Sequence, residues 1–144
     1  MKTYIGTKMI SAEPMSRAAY NEYRNWDLPE NEDGADEGYL VEYLDGGQAN
    51  DSRHAGYISW SPKAQFEAAY LCIGDVSGLP AHQQRVVAEK VQLDDTRDKL
   101  HAFKQSDKFH TLCDKDERSR MIDQVIAMDA YSEALGLRIR AFKQ

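Results

Sequence analysis

The spacing of apolar residues changes character once along the chain, from a mixed pattern up to Tyr70 to a helical one beyond Pro80. Thr3 to Ile10 places β-branched Thr3, Ile5, Thr7 and Ile10 around Gly6, which predicts a strand that Glu13-Pro14-Met15-Ser16 stops. Ser16 is placed to cap the helix that follows, its hydroxyl accepting from an otherwise unpaired backbone N–H. Over Arg17 to Trp26, Ala19, Tyr23 and Trp26 recur at steps of four and three, so they are expected on one apolar face. Tyr39 to Leu44 and Gly56 to Trp60 read as two strands of a hairpin, with Asp45-Gly46-Gly47 supplying residues that tolerate positive φ. On the return strand, Tyr57, Ser59 and Ser61 are expected on one side, and Ile58 and Trp60 on the other. Ser61-Pro62 then predicts a helix start, with proline in the first helical position and Phe66, Ala69 and Tyr70 on one face.

Ile73-Gly-Asp-Val-Ser-Gly-Leu-Pro80 breaks the pattern with two glycines, a serine and a proline. Beyond it, Val86, Leu93 and Leu100 recur at sevens, with Val87 and Phe103 widening the stripe. The connector from Gln105 to Cys113 has room for one short turn. Asp114, followed three residues later by Glu117, predicts a capping box. Met121, Val125, Met128, Ser132, Leu135, Ile139 and Phe142 then alternate in steps of four and three, a heptad seam. The expected fold is α+β: a small antiparallel sheet of three strands with two helices over residues 1–72, a linker over 73–80, and an antiparallel helical hairpin over 81–144. Two helices alone make little core. The hairpin is therefore expected to pack on a copy of itself, forming a homo-oligomer, or on the first domain.

Charge and aromatic content separate the same two regions. Residues 1–78 hold six Lys/Arg against thirteen Asp/Glu, whereas residues 79–144 hold twelve against eleven. Ten of the fourteen aromatic residues lie before Leu71. Duplex nucleic acid is a poor partner for an acidic head, because its affinity comes largely from cations neutralising phosphates. No run approaches the roughly 20 apolar residues of a membrane span, and no apolar stretch follows Lys2 as a secretory leader requires. A cytoplasmic protein without a membrane partner is expected, with Cys72 and Cys113 as free thiols.

Candidate chemistry follows from what these residues lack. His101, His110 and Cys113, with His82 and Cys72, do not form the recognisable ligand pairs of a structural zinc. No serine sits in a Gly-x-Ser-x-Gly turn, and adjacent carboxylates such as Asp36-Glu37 or Asp94-Asp95 point to different faces. Neither a cofactor nor an enzyme is expected. Tyr20, Arg24 and Trp26, followed by Arg53, Tyr57 and Trp60, instead supply flat rings beside cations, the groups that hold a stacked base and a phosphate. Trp26 and Trp60 have a second reading as core residues of an undersized domain.

Tyr4-Ile-Gly-Thr-Lys8, Pro14-Met-Ser-Arg17 and Tyr20 through Trp26 resemble a family of small accessory proteins of tailed bacteriophages, of the N-four and Sf-six type. The likeness continues through Asp36 to Tyr43 and Gly56 to Lys63, and closes at Phe66-Glu67 and Ala69-Tyr70. The tail, with His82 to Val87, Glu89-Lys90 and Tyr131-Ser132, is similar to a second small phage protein that occurs alone. Trp26, Asp45-Gly46, Trp60-Ser-Pro62 and Tyr70 also occur in the order seen in phage Thoeris anti-defence sponges. This chain differs from them in having Ala64-Gln65 at the helix start and Tyr70 where they close on Trp. That resemblance implies an oligomer, in the cytoplasm of an infected bacterium, that sequesters a cyclic oligonucleotide or a cyclic ADP-ribose type of signal. The alternative is an acidic protein-binding module that inhibits or redirects a host enzyme, using Glu30 to Glu37 or the exposed hairpin face.

Overall fold

A computed structural model describes residues 1–142. The chain divides into two compact units, a head over Met1–Tyr70 and a tail from Leu71 onward. The fold is α+β, with a three-stranded antiparallel sheet in the head and helices alone in the tail.

In the head, β1 (Ser11–Pro14), β2 (Gly38–Tyr43) and β3 (Tyr57–Pro62) lie in the order β1-β2-β3. Ser11 stands opposite Glu42 and Pro14 opposite Tyr39; on the other side of β2, Leu40 stands opposite Trp60 and Tyr43 opposite Tyr57. The first strand thus begins after the predicted Thr3–Ile10 segment, which has no regular structure and leaves Tyr4 and Ile5 exposed. The β-branched run there has no neighbour to pair with, whereas Ser11–Pro14 does. Pro14 is tolerated because it ends an edge strand.

Helix α1 (Arg17–Tyr23) starts as the sequence predicts, with Ser16 Oγ accepting from the Ala19 N–H at 3.2 Å. It stops three residues early: Arg24 caps it and Asn25, at φ 56°, turns the chain left-handed, so Trp26 leaves the helix. The buried residues of α1 are accordingly Tyr20 and Asn21 rather than the expected Ala19–Tyr23–Trp26 face. Tyr20 packs with Leu40 and Ile58, and Met15, Tyr23 and Trp60 close around them. Helix α2 (Lys63–Ala69) packs on the sheet through β2 and β3, with Phe66 stacked on Tyr39 at 4.0 Å between ring centroids. β3 runs on through Pro62, so the proline sits at the cap of α2 rather than inside it, and Ser61 provides no cap. Gly38 admits no side chain, because a Cβ there would collide with Ser61 O and the Trp60 ring. Its backbone carbonyl accepts from the Met15 N–H.

In the tail, α3 (Ala81–Lys104) and α5 (Lys115–Arg140) form the antiparallel hairpin, and the connector holds a short helix, α4 (Asp107–Leu112). Asp114 caps α5 by accepting from the Glu117 N–H at 2.8 Å. Every residue of the predicted seam is buried or half-buried, with Val125, Ser132 and Leu135 the deepest. Phe142 lies just past the helix end, and the last two positions of the predicted hairpin, 143 and 144, lie outside the described residues. No helix among the described residues is long and apolar enough to cross a membrane.

Candidate functional site

The free edge of β3, α1 and the loop between Leu44 and Gly56 enclose a small open cleft of about 210 Å³. The loop is held there by Asn50, whose side chain behaves as a short extra strand. Its Oδ1 accepts from the Ile58 N–H at 2.8 Å and its Nδ2 donates to Ile58 O at 2.9 Å. Both outward backbone groups of Ile58 are thereby satisfied on an edge that otherwise invites pairing.

Four of the six predicted site residues, Tyr20, Trp26, Tyr57 and Trp60, line this cleft together with Arg17, Asn21 and Ser59. Trp26 is 54% exposed and Tyr57 46%, so both present ring surface. Tyr20 is only 4% exposed and meets Trp26 edge to face at 6.1 Å. Burial pushes the Tyr20 hydroxyl above its ordinary pKa, with Arg24 working the other way, so it stays protonated at neutral pH. Trp60 serves as a wall: its indole N–H donates to Met15 O at 2.8 Å and it joins the core cluster. The return strand thus divides as predicted, with Ile58 and Trp60 inward and Tyr57 exposed.

The three arginines of the head are not equivalent. Arg17 lies over the Trp60 ring at 4.8 Å but is committed to Glu32 through two hydrogen bonds of 2.8 and 2.6 Å. Arg53, like Arg24, is not among the cleft-lining residues. Its guanidinium is engaged by both Asp51 oxygens and by Tyr23 O, and it lies over the Tyr23 ring at 3.5 Å. Those contacts hold the Asp51 carboxyl well below the usual carboxylate range. Arg24 has no carboxylate within ion-pair distance among the described residues. It stacks on Trp26 at 4.5 Å and reaches only Asn50 O, at 3.3 Å, and the Tyr20 hydroxyl, at 3.5 Å. Of the three, Arg24 is the cation with charge to spare for an anion.

Two further features of the head come from its tertiary structure, the first absent from the residue order and the second at a residue that stands among the rings of α1 in the sequence. Tyr23, His54 and Glu42 form a continuous chain, with Tyr23 Oη to His54 Nε2 at 2.8 Å and His54 Nδ1 to Glu42 Oε2 at 2.9 Å. Glu42 also accepts from the Gly56 N–H, and the hydrogen bonds from His54 and Gly56 keep its pKa below the ordinary value. The chain clasps the loop to α1 and β2, using residues whose separation carries no motif. The second feature is Asn21, which is 4% exposed and lines the cleft, and whose side-chain amide makes no hydrogen bond among the described residues.

A wider groove of about 530 Å³ borders Ala64 and Gln65, the helix start compared above with the sponges. Asp36, Glu37 and Glu67 line it against the single cation Lys63, which pairs with Glu37 at 3.1 Å. That balance disfavours an anionic ligand and leaves the β3 cleft as the better candidate. Among the described residues, no three His, Cys, Asp or Glu side chains gather as a metal site would require.

The tail has a polar layer inside its seam. Lys90 Nζ donates to Asp94 Oδ2 and to Ser132 Oγ, each at 2.7 Å, and Ser132 donates to Asp94. Arg97 lies 3.4 Å from Asp94 and 3.6 Å from Asp129. Burial works to raise the Asp94 pKa, but the Lys90 and Ser132 hydrogen bonds outweigh it, leaving the carboxyl below its ordinary value. One residue along, the Tyr131 hydroxyl donates to Glu89. Glu89-Lys90 and Tyr131-Ser132, two of the three tail segments singled out in the sequence, therefore bond to each other across the hairpin.

Residues 80–141, which contain all three tail helices, match the Sequestin family model. Neither the curated proteins nor the solved structures yield a match to the chain. The matched segment lies wholly in the tail and includes both halves of its polar layer, a finding that fits a sequestering protein.

Proposed function

We propose that this protein is a phage accessory protein that binds and holds a nucleotide-derived signal of the bacterial host, of the cyclic oligonucleotide or cyclic ADP-ribose type, without converting it. The observation that carries this reading is the Sequestin match over residues 80–141, a family whose name denotes sequestration. The head supplies the second support: a cleft with two exposed aromatic residues, Trp26 and Tyr57, beside an arginine free of carboxylates. Such a combination suits a stacked base joined to a phosphate.

A sponge works by stoichiometry, and an oligomer multiplies its sites. The tail favours one. Ile122, Ile126 and Leu137 are exposed on α5 at spacings of four and eleven, which keep them on one helical face away from the buried seam. A second copy would cover that face.

Native mass spectrometry and thermal shift of the full chain against cyclic dinucleotides, cyclic trinucleotides and cyclic ADP-ribose isomers test the reading. The expected result is a stoichiometric complex of an oligomer with at least one class, and a raised melting temperature. No shift with any member at high micromolar ligand overturns it.

A further inference from the structure

Asn21 is buried in α1 and turned to no protein partner. A carboxamide carries two N–H donors and an oxygen acceptor, and although Asn21 as a residue is 4% exposed, its amide atoms are not among those shut off from solvent, which leaves them open to water or a ligand in the cleft. Natural folds keep such a group where a ligand or water completes it. Here it lines a cleft walled by Tyr20, Trp26, Tyr57 and Trp60.

The size of the cleft limits what enters. Sites that enclose a drug-sized ligand run from about 300 to 1,000 Å³, and this one measures about 210 Å³. It grips one ring system and leaves the rest of a nucleotide outside. Flat aromatic walls select a planar ring; the polar group then decides which one. Asparagine complements adenine, pairing its oxygen with the exocyclic amine and its N–H with the ring nitrogen beside it. Guanine presents two acceptors on the corresponding edge, which a free arginine would read. Arg17, the arginine that lines the cleft, is held by Glu32.

We propose that the head cleft is an adenine site, in which Asn21 reads the base edge, Trp26 and Tyr57 hold its ring, and Arg24 meets the attached phosphate. This deepens the reading above, since it names the part of the nucleotide signal that the head takes. It assigns the head a binding role of its own, outside the segment that matches the family model.

Trp26 and Trp60 are the chain's only tryptophans and both lie in the head, so tryptophan fluorescence of the full chain reports the cleft directly. Titration with AMP, GMP, CMP and UMP is expected to give saturable quenching with AMP first. Purine riboside 5′-monophosphate, which lacks the amine, is expected to bind the unaltered chain roughly tenfold or more weakly than AMP. Asn21→Asp replaces the donor by an acceptor and is expected to weaken AMP by a similar factor without improving GMP, whose corresponding edge presents only acceptors.

Equal quenching by all four nucleotides, no quenching at millimolar AMP, or equal affinity for AMP and the purine riboside overturns the assignment. So does an unchanged AMP affinity in a folded Asn21→Asp. Should that variant fail to fold, judged by ellipticity and melting, the purine riboside comparison decides alone. The two readings fail separately: a cyclic signal bound without AMP sinks only the adenine site, and AMP bound with no cyclic signal sinks only sequestration.

Discussion

The head and the tail solve the problem of a small core in opposite ways. The head buries Leu40, Val41 and Ile58 in a three-stranded sheet and fastens its long loop with side chains, Asn50 on Ile58 and Glu42–His54–Tyr23 on α1. It leaves Trp26 and Tyr57 exposed beside a cleft, and Tyr4, Ile5 and Leu44 exposed elsewhere. The tail packs two long helices along one seam and interrupts that seam with Lys90, Asp94 and Ser132. It keeps Ile122, Ile126 and Leu137 on the outside. The difference suits the roles proposed above, a head that receives something small and a tail that meets a second copy.

The sharpest way to break this comparison is to destabilise each unit separately. Ile58→Ala and Leu135→Ala each remove a fully buried aliphatic group and are expected to cost about 2–5 kcal/mol. Fluorescence sees only the head, while far-UV ellipticity is dominated by the tail helices. Ile58→Ala should lower the fluorescence midpoint far more than the ellipticity midpoint, and Leu135→Ala should do the reverse. Equal shifts of both signals by either substitution would show one cooperative body.

A smaller effect is expected inside the tail. Ser132→Ala removes a buried hydroxyl that both donates and accepts, leaving Lys90 and Asp94 short of a partner. A loss of about 1–3 kcal/mol in ellipticity-detected unfolding follows. A loss below the error of a denaturant titration would mean that the polar layer contributes register rather than stability.

Acid should weaken both units, each through its own carboxylate. Glu42 in the head, ordinarily near 4.5, and Asp94 in the tail, ordinarily near 3.8, have pKa values lowered in the folded protein. The unfolded chain therefore takes up protons first as pH falls. The stability these groups contribute is present above their ordinary values and is lost as pH drops through the folded ones. Denaturant midpoints at pH 7 and below pH 4 should differ in this sense, and Glu42→Gln should flatten the fluorescence curve alone. A fluorescence curve with unchanged pH dependence in Glu42→Gln would remove the clasp from the account.

The least effect on stability, and a large one on mass, is expected for Ile126→Asp. An exposed position on an isolated hairpin changes stability within about 0.5 kcal/mol. At a subunit contact, the same charge should convert an oligomer to a monomer in sedimentation velocity. A monomeric unaltered chain at micromolar concentration would end the comparison on the tail's side.

Much of the tail was legible in the sequence because helix packing repeats. The steps of four and three from Met121 to Ile139 and the cap at Asp114 need only local periodicity and one side chain. In the head, β2, β3 and the Ser16 cap were legible for the same reason. The first strand was not, since strand preference at Thr3–Ile10 says nothing about which segment finds β2 as a neighbour. The face of α1 was misread because seven residues give barely two turns, and Asn25 ends the periodicity before Trp26. The cleft brings together four residues chosen from the sequence and Asn21, which stands among them in α1, yet the engagement of Arg17 with Glu32 depends on tertiary approach that no spacing encodes.

Equilibrium dialysis of the full chain against cyclic ADP-ribose isomers and cyclic oligonucleotides, followed by heat release and chromatography of what was bound, tests the central claim most directly. Sequestration predicts that one of these signals is retained at a fixed ratio to protein and returns chemically unchanged. Retention of none, or return of a cleaved product, would contradict it.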